Sequence, residues 1–342
     1  MPHMDIFRTQ AQGAFSMAQL TALLLDKPHI PMRLGKMGLF EVDGVRTTDI
    51  TIERQGNTLR LVQSSARGGP RTQNQKDGRS VIKFPSVRLA LTDTLLAEEV
   101  QNVRQLGSEN ELMPLQDEVT RRMLTMSNSI EATIEYHRMG ALKGIVLDAN
   151  QAVLLNLYTE FGVVQQTEQA FDLAAASPAS GILRKRCSTV IRLIRDELGG
   201  LPYDHIHCMC SSQFYDDLTA HPEYREFQKG YAAAQGLAAG VVEGTTYFGG
   251  ITFEEYRGAV GSVNYVDDDK ALFFPVGTPS LFIERYSPAE FEDTVNTIGL
   301  PRYAEVLPDP EDPRSKVKAI VQSHPTILCT RPRTLVPAKR GA

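Results

Sequence analysis

The segment Leu115–Met139, with the sequence LQDEVTRRMLTMSNSIEATIEYHRM, has the apolar spacing of one long α-helix. Its apolar residues are separated by three or four positions: Leu115, Val119, Met123, Met126, Ile130 and Ile134. Such spacing places them in one stripe along the helix. At about 1.5 Å per residue the helix extends roughly 35–40 Å. It is either an ordinary core-covering helix or a spine that carries sheets from both sides of the chain.

Both ends of this helix have suitable residues. Pro114 fits the first helical position, where its missing N–H costs no hydrogen bond, and Gly140 and Gly144 offer a stop. The face opposite the apolar stripe is polar and carries Glu118, Arg121, Arg122, Asn128 and Glu135. We therefore expect one face of the helix to be exposed to solvent.

Composition limits the class of protein. The chain has 342 residues, which predicts about two domains, and 42% hydrophobic with 23% charged residues is typical of a globular protein. The net charge of -5 argues against a general nucleic-acid binder. The apolar run Met17–Leu25 is too short to span a membrane and lacks the flanks of a targeting signal. The four cysteines lack disulfide-scaffold spacing, so we expect reduced, cytosolic thiols.

An arm and a long ribbon precede the helix. Residues 1–38 have little to bury by themselves beyond a short helix predicted at Ser16–Leu25. Alternating residues then predict strands within 39–63, and an extended pattern resumes at Val81–Val87 after a polar, glycine-rich stretch. This is the pattern of a two-stranded excursion with a flexible tip. Because isolated two-stranded ribbons are marginal in water, we expect it to lie on a partner surface.

The excursion is basic. The stretch Arg67–Arg88 contains one acid, Asp77, and six bases, namely Arg67, Arg71, Lys76, Arg79, Lys83 and Arg88. The alternatives are a solvated loop and a contact with an acidic surface or with phosphates. Because the chain is negative overall and no aromatic residue lies at the tip, a second copy is the favoured partner. Our candidates for contacts between subunits are Arg67, Arg71 and Arg79 on the ribbon, with Glu118 or Glu135 on the exposed face of the long helix as their acidic partners.

The rest of the chain alternates helices and strands. The sequence predicts helices at Leu91–Leu106, at Ser177–Leu198 and from Ser211 or Ser212 to Phe227, a hairpin at 144–158, and strands at His205–Cys210, Gly250–Tyr256, Ala271–Pro275 and Val317–Cys329. Pro178–Pro275 therefore resembles a compact α/β or α+β domain, to which a separate tail returns.

The sequence HIHCMC at His205–Cys210 is the one cluster of metal-ligand residues. On a strand its two histidines share one face and its two cysteines share the other, so the four cannot bind one tetrahedral zinc. We predict a core strand, no metal and no cofactor. Phosphate-loop, dinucleotide-binding, nucleophile-elbow and H-E-x-x-H motifs are missing from the sequence, which favours a protein that is not an enzyme.

Short segments along nearly the whole chain carry a family resemblance. They are Ile30–Phe40, Gly44–Thr48, Arg67–Pro70, Asp93, Glu98–Gln101, Val103–Arg104, Tyr286–Pro288, Asn296–Thr297, Pro301–Tyr303, Ile320–Ser323 and Pro325. In this order they resemble the lambda-type major capsid protein E family of tailed phages.

The resemblance implies an α+β chain with the Hong Kong 97-type capsid fold. An N-terminal arm would span residues 1–45 and an extended two-stranded loop residues 46–90. A peripheral domain with the spine helix would comprise 91–169 and 306–342, and an α/β-like axial domain 170–305. Nothing in the resemblance assigns a covalent cross-link between subunits.

The resemblance also implies a function. The chain would assemble, as hexamers and pentamers, into the icosahedral head shell of a tailed phage or prophage that encloses double-stranded DNA without sequence-specific binding. Its further partners would be a scaffold or protease, a portal and a decoration protein, with assembly in the bacterial host cytoplasm and no membrane. The alternatives are a nanocompartment shell of the same fold around a cargo enzyme, and an enzyme built on the middle domain that uses a metal or a nucleotide.

Overall fold

The computed structural model describes residues 17–26, 32–55, 79–100, 115–175, 178–235, 244–260, 263–309 and 315–341. The helices in these ranges are α1 (Met17–Asp26), α2 (Arg33–Met37), α3 (Ala97–Val100), α4 (Leu115–Lys143), α5 (Leu157–Glu160), α6 (Ile182–Leu198), α7 (Ser212–Ala220) and α8 (Pro222–Gln235). The first nine strands are β1 (Glu41–Gly44), β2 (Asp49–Gln55), β3 (Arg79–Pro85), β4 (Leu89–Leu96), β5 (Ile145–Leu147), β6 (Val153–Asn156), β7 (Gln169–Ala170), β8 (His205–Cys210) and β9 (Thr245–Phe248). The others are β10 (Ile251–Glu255), β11 (Ala259–Val260), β12 (Val263–Asn264), β13 (Lys270–Val276), β14 (Phe282–Tyr286), β15 (Tyr303–Pro308), β16 (Lys316–Ser323), β17 (Pro325–Cys329) and β18 (Val336–Lys339).

Helix α4 is the predicted spine, because elements from both sides of the chain pack on it: α1, α2, β4, β5, β13, β16 and β17. Its first half is amphipathic, with Arg121, Thr125 and Asn128 exposed. Its last turns are buried on nearly all sides. The helix ends at Gly144, whose φ of +80° suits glycine, rather than at Gly140. Gly140 lies inside the helix, where a Cβ would come within 2.8 Å of the Cα of Val146 in β5.

Two three-stranded sheets lie against the spine. One has the order β1-β14-β17 and the other the order β15-β16-β4. The side chains of α4, both sheets and the inward face of β8 belong to one hydrophobic core. Helix α1 packs on β15, where the hydroxyl of Thr21 accepts a hydrogen bond from the backbone N–H of Ala304 at 3.1 Å.

A six-stranded sheet of order β7-β18-β13-β8-β10-β9 forms the middle of the molecule. Alternate residues of β8 serve two cores. Ile206, Cys208 and Cys210 pack with α6, α7 and α8, whereas Met209 faces the spine. His207 lies on the same face as Met209, so the predicted separation of histidines and cysteines by face is confirmed for this strand.

The two-stranded excursion is present at its base. Strands β2 and β3 pair in antiparallel register, with Ile50 opposite Phe84 and Gln55 opposite Arg79. Ile50 and Phe84 are buried, and they anchor the ribbon on the core. Val81, which precedes Phe84 by three residues in β3, is 55% exposed.

Three predicted helices differ in the structure. Leu91–Leu96 belongs to β4, because pairing along β16 satisfies backbone groups of this segment as a strand, and Ala97–Val100 is helical. The rest of that predicted helix, residues 101–106, lies outside the described residues. The helix predicted from Ser177 begins at Ile182, after Gly181 in the left-handed conformation. The helix predicted to reach Phe227 is divided into α7 and α8 at Pro222, since proline cannot donate the hydrogen bond that a continuous helix needs.

Several strands pair with strands that the sequence analysis assigned to a different domain. The predicted division into domains stays a prediction. Strand β18, from the tail assigned to the peripheral domain, pairs with β13 and β7 of the middle sheet. Strand β14, from the segment assigned to the axial domain, pairs with β1 of the arm and with β17 of the tail.

Candidate functional site

The predicted contact residues have different positions in the structure. Arg67 and Arg71 lie outside the described residues, and Arg79 is the first residue of β3. Glu118 and Glu135 were predicted on the exposed face of the spine, but these residues are only 3% and 0% exposed. That prediction is wrong, because both carboxylates have partners within the chain. The contact between subunits through the ribbon arginines stays a prediction.

Glu118 is held between two arginines of its own helix. Its carboxylate accepts hydrogen bonds from Nε of Arg121 at 2.8 Å and from Nε of Arg122 at 2.9 Å. The hydrogen bond from Arg121 has the largest effect, and the pair lowers the pKa of Glu118. Arg122 also reaches Glu99 at 2.8 Å and Asp93 at 3.3 Å. These contacts tie the first half of the spine to β4 and α3.

Glu135 holds the N-terminal arm against the spine. Its carboxylate accepts hydrogen bonds from the backbone N–H groups of Leu34 at 2.6 Å and Gly35 at 3.2 Å, at the start of α2. The hydroxyl of Tyr256 donates to it at 3.2 Å and Arg138 at 3.3 Å. The first N–H groups of a helix have no hydrogen-bond partner within the helix. A carboxylate at this end accepts hydrogen bonds from them, and its negative charge interacts favourably with the positive end of the helix dipole.

Arg138 is the centre of this buried network. Its guanidinium forms a bidentate pair with Glu284 of β14, at 2.8 and 3.0 Å, and reaches Glu131 at 2.8 Å. Burial alone would lower the pKa of Arg138, but the hydrogen bonds and charges of Glu284 and Glu131 outweigh it and raise the pKa. Arg302 donates to Glu131, and the hydroxyl of Tyr286 donates to Glu284. Burial, followed by the charge of Glu284, raises the pKa of Tyr286.

The network has more carboxylates than guanidiniums. Three buried acids, Glu131, Glu135 and Glu284, face two buried arginines, Arg138 and Arg302. A buried charge without a partner is costly, so the third carboxylate needs other donors. The N–H groups of α2 and the hydroxyl of Tyr256 supply them at Glu135. The arm therefore supplies hydrogen-bond donors to a buried carboxylate of the spine, Glu135.

A second ionic contact joins the arm to the middle sheet. The guanidinium of Arg33, in α2, forms a bidentate pair with Glu254 of β10. The Oε2 atom of that carboxylate, which Arg33 also contacts, lies 3.1 Å from Nε2 of His207 in β8. Burial would raise the pKa of Glu254, but the hydrogen bonds with His207 and Arg33 lower it to about 2. Segment Arg33–Gly35 thus contacts the spine with its backbone and the middle sheet with a side chain.

The network was missed by the sequence analysis. The spacing of Glu131, Glu135 and Arg138, which places them on one face of a helix, was the available signal. From the sequence alone, this charged helix face looks the same as one exposed to solvent. Only the structure shows that β14 covers it. Arg33, Glu254 and Glu284 are distant in sequence and carry no such signal.

The cysteines of this chain are buried in its core. All four cysteines are buried, and burial raises the pKa of Cys187 and Cys329 to about 12, which keeps them protonated and unreactive. Within the described ranges, no cluster of three or more histidine, cysteine or acidic side chains has metal-binding geometry. No helix in these ranges is long and apolar enough to cross a membrane.

Comparisons with known proteins assign the chain to a family. Residues 16–340 match the family described as phage major capsid protein E. The major capsid protein of Pseudomonas phage KPP10 is 28% identical over 324 residues, which cover 88% of this chain and 90% of that protein. The major capsid protein of Salmonella phage Felix O1 is 24% identical and covers 97% of this chain and 98% of its own.

Solved structures share the fold. A protein described as a capsid protein of a prophage of E. coli CFT073 has a TM-score of 0.58 at 15% identity, over 94% of this chain and 98% of that one. The capsid protein of a native GTA particle has a TM-score of 0.52 at 12% identity, over 92% and 93%. The fold is therefore the Hong Kong 97-type capsid fold, as predicted. The match over residues 16–340 shows that the chain belongs to the phage major capsid protein E family.

Proposed function

We propose that this chain is the repeating subunit of the icosahedral head shell of a tailed phage or prophage, and that the shell encloses double-stranded DNA. The observation that carries the proposal is the family match over residues 16–340, nearly the whole chain. It favours a phage shell over a nanocompartment with an enzyme cargo. In this proposal the arm and spine network gives the subunit a fixed body, and the ribbon and other exposed segments contact neighbouring copies.

The proposal extends to partners and chemistry. Hexamers and pentamers of the chain would form the shell in the host cytoplasm, together with a portal, a scaffold or protease and, in some shells, a decoration protein. The subunit would have no catalytic activity and no bound metal, because the buried acids and arginines that the structure describes pair with one another, as Arg138 does with Glu131 and Glu284. Elemental analysis that finds about one zinc per chain, lost in His207→Ala, would contradict this.

The basic ribbon remains our candidate for the contact between subunits. Arg67, Arg71 and Arg79 would face acidic side chains of a neighbouring copy. Glu118 and Glu135 are engaged inside their own subunit, so the acceptors must be exposed acids elsewhere. A single exposed ion pair contributes about 0–1 kcal/mol, but the same contact recurs at every equivalent interface of a symmetric shell.

The proposed function is tested by expressing the chain alone and together with its neighbouring genes. We expect light scattering to detect large assemblies and negative-stain microscopy to show closed shells or rings of five and six subunits. Nuclease treatment followed by analysis of the contents separates a DNA-filled shell from one that holds an enzyme. A compact monomer at every protein and salt concentration would contradict the proposal.

A further inference from the structure

Helix α6 carries a run of basic residues that lack acidic partners. The segment Ile182–Arg195 contains no acid, and its bases are Arg184, Lys185, Arg186, Arg192 and Arg195. Arg186 is paired with Asp172 at 2.5 Å. The other four have no ion-pair partner among the residues that the structure describes. This contrasts with the spine, where Arg121 and Arg122 are both paired with Glu118.

The four unpaired cations lie on the solvent side of the helix. All four are exposed, whereas the opposite face is buried in the core of the middle sheet. Arg192 follows Arg184 after eight residues and Arg195 follows after three more, so these side chains align in one stripe. At 1.5 Å per residue the stripe is about 16 Å long. Between them lies the small Ser188, whose hydroxyl donates to the carbonyl of Arg184 at 2.9 Å.

The C-terminal end of the stripe is extended by another segment. The guanidinium carbon of Arg195 lies 5.9 Å from the centre of the Tyr203 ring. Arg331, from the tail of the chain, is exposed and donates to the carbonyl of Leu198 at 3.1 Å. It therefore adds a fifth cation where α6 ends.

Acids near the helix offset little of this charge. Glu197 is paired with Arg333 at 2.8 Å, which leaves Asp196 as the exposed acid of α6. Glu223 accepts hydrogen bonds from two of the first N–H groups of the helix, at 3.0 and 3.2 Å. The helix N-terminus is therefore already occupied, and the positive surface is formed by side chains alone.

The chemistry of this face fits phosphates better than another protein surface. None of the exposed large hydrophobic side chains in the described ranges lies on α6. Interfaces between proteins usually have an apolar or aromatic centre, whereas surfaces that contact a nucleic-acid backbone are polar and rich in arginine and lysine. A DNA duplex carries one negative charge per about 1.7 Å, so a length of about 16 Å presents roughly nine phosphates to the stripe.

We propose that the exposed basic stripe of α6, formed by Arg184, Lys185, Arg192 and Arg195, binds the phosphate backbone of double-stranded DNA. The inference rests on the proposed function, in which a shell of these subunits encloses DNA, and it names the surface that contacts the DNA. The contact carries no sequence information, because every phosphate is alike.

The contact of one subunit is weak. The chain has a net charge of -5, which repels DNA over the rest of its surface, and nonspecific binding typically has a Kd of about 10⁻⁴–10⁻⁶ M at physiological salt. In a closed shell the same stripe recurs in every subunit, and the enclosed DNA is held close to all of them. Many weak contacts then act together on one DNA molecule.

The test measures binding of the purified full-length chain to a short fluorescein-labelled DNA duplex by fluorescence anisotropy at several salt concentrations. In the variant Arg184→Ala/Lys185→Ala/Arg192→Ala, we expect the affinity at low salt to fall at least roughly tenfold. The slope of log K against log salt should become shallower by about three, because three phosphate contacts are lost. Arg184→Lys/Arg192→Lys keeps the charges and should bind DNA as the unmodified chain does.

The matched control replaces Lys36, Arg46 and Lys83 by alanine, three exposed cations of the arm and the ribbon. It removes the same charge, and the affinity should change by less than about twofold, because distant charges are screened. Equal weakening in both triple variants would overturn the inference, since net charge would then explain the binding. Unchanged binding in the α6 variant would overturn it as well.

A cross-linking measurement locates the contact. The four native cysteines are buried, so a photoreactive group can be attached to the thiol of Ser188→Cys in the middle of the stripe. We expect illumination to join this chain to the duplex, and to do so far less with Val164→Cys, whose native residue is 79% exposed on another segment. Equal cross-linking from both positions would contradict a specific surface on α6.

Shell formation separates this inference from the proposed function. If the unmodified chain forms shells but does not bind the duplex, the basic stripe is not a DNA surface and the proposed function stands. If the α6 variant binds DNA normally but forms no shells, the stripe contacts a second copy instead, and the inference is wrong. If the unmodified chain forms no assemblies, the proposed function fails, whereas the titration still decides whether α6 binds phosphates.

Discussion

At the scale of single residues, the main feature is how the buried charges are satisfied. Arg138 makes four hydrogen bonds to three carboxylates, so removing it would take away the bidentate cationic partner of the buried Glu284, whereas Glu131 would keep Arg302. Breaking a buried ionic pair from one side typically costs about 3–5 kcal/mol, although the intact pair adds little net stability. The network is therefore better understood as a device that fixes one arrangement of arm, spine and sheet.

His137 should make the stability of the subunit depend on pH. Its Nε2 atom has no hydrogen-bond partner among the described residues, and burial lowers its pKa from 6.5 to about 4. The unfolded chain binds this proton near pH 6.5, whereas the folded chain binds it only near pH 4. Stability should therefore fall as the pH drops from 6.5 to 4, by up to about 3 kcal/mol for this group.

The measurement is denaturant unfolding of the chain at several pH values. We expect His137→Gln to flatten the pH dependence between 6.5 and 4, whatever its effect on absolute stability. His205→Gln is the control, because His205 is partly exposed and should contribute less. Equal slopes in the unmodified chain and in His137→Gln would show that His137 is not responsible.

At the scale of elements, the short helix α2 links the spine helix α4 to the middle sheet, and we call this link the clamp. Five residues are too few for a stable isolated helix, so its conformation depends on tertiary contacts. Glu135 satisfies its first N–H groups, and Arg33 extends from it to Glu254 in the middle sheet. The arm is thus held at Arg33–Gly35 by carboxylates of two different elements.

Replacing Arg33 by methionine should loosen this clamp. The side chain of Arg33 is 42% exposed, so water screens its pair with Glu254, and we expect a loss of about 1 kcal/mol. The population of subunits with an opened arm should then rise roughly fivefold. The measurement is the rate of trypsin cleavage after the exposed Lys36, followed by mass spectrometry. Arg46→Met, which removes an exposed arginine beyond β1, is the control. Cleavage at an unchanged rate in Arg33→Met would mean that the backbone contacts to Glu135 suffice.

At the scale of the whole molecule, charge is distributed unevenly. The ribbon segment 46–88 has a net charge of +6, and the remainder of the chain, with 27 basic and 38 acidic residues, has a net charge of -11. Identical copies can therefore attract one another in a head-to-tail manner, the basic segment of one against the acidic body of the next. Such a contact closes into rings when the rotation between subunits allows it.

Replacing Arg67, Arg71 and Arg79 together by alanine should impair shell formation while leaving the subunit folded. Ion pairs of these arginines with a second copy would be exposed to solvent, so the effect should grow with salt, which screens the remaining attraction. Circular dichroism measures the fold and sedimentation the shells. The charge-matched control is Arg184, Lys185 and Arg192 to alanine, three exposed cations of α6. Normal shells of the ribbon variant at every salt concentration would rule out its charge as the force that joins subunits.

The sequence by itself determined the long helix α4 and the strand β8. The three-four spacing of Val119, Met123, Met126, Ile130 and Ile134 predicts α4, and all five are buried. Alternation in β8 predicts which of its residues face each core. These features follow from backbone periodicity, which any neighbourhood preserves, and the family resemblance then predicted the fold that the comparisons confirm.

Only the tertiary structure decided which charges are buried and which strands pair. Leu91–Leu96 is a strand because β16 lies beside it, and Glu135 is buried because α2, Tyr256 and Arg138 surround its carboxylate. Both outcomes depend on residues more than 100 positions away in the chain, such as Leu34 for Glu135 and Ile320 for Thr92. Periodicity distinguishes apolar faces from polar ones, but a polar face becomes buried only when distant donors and cations compensate it.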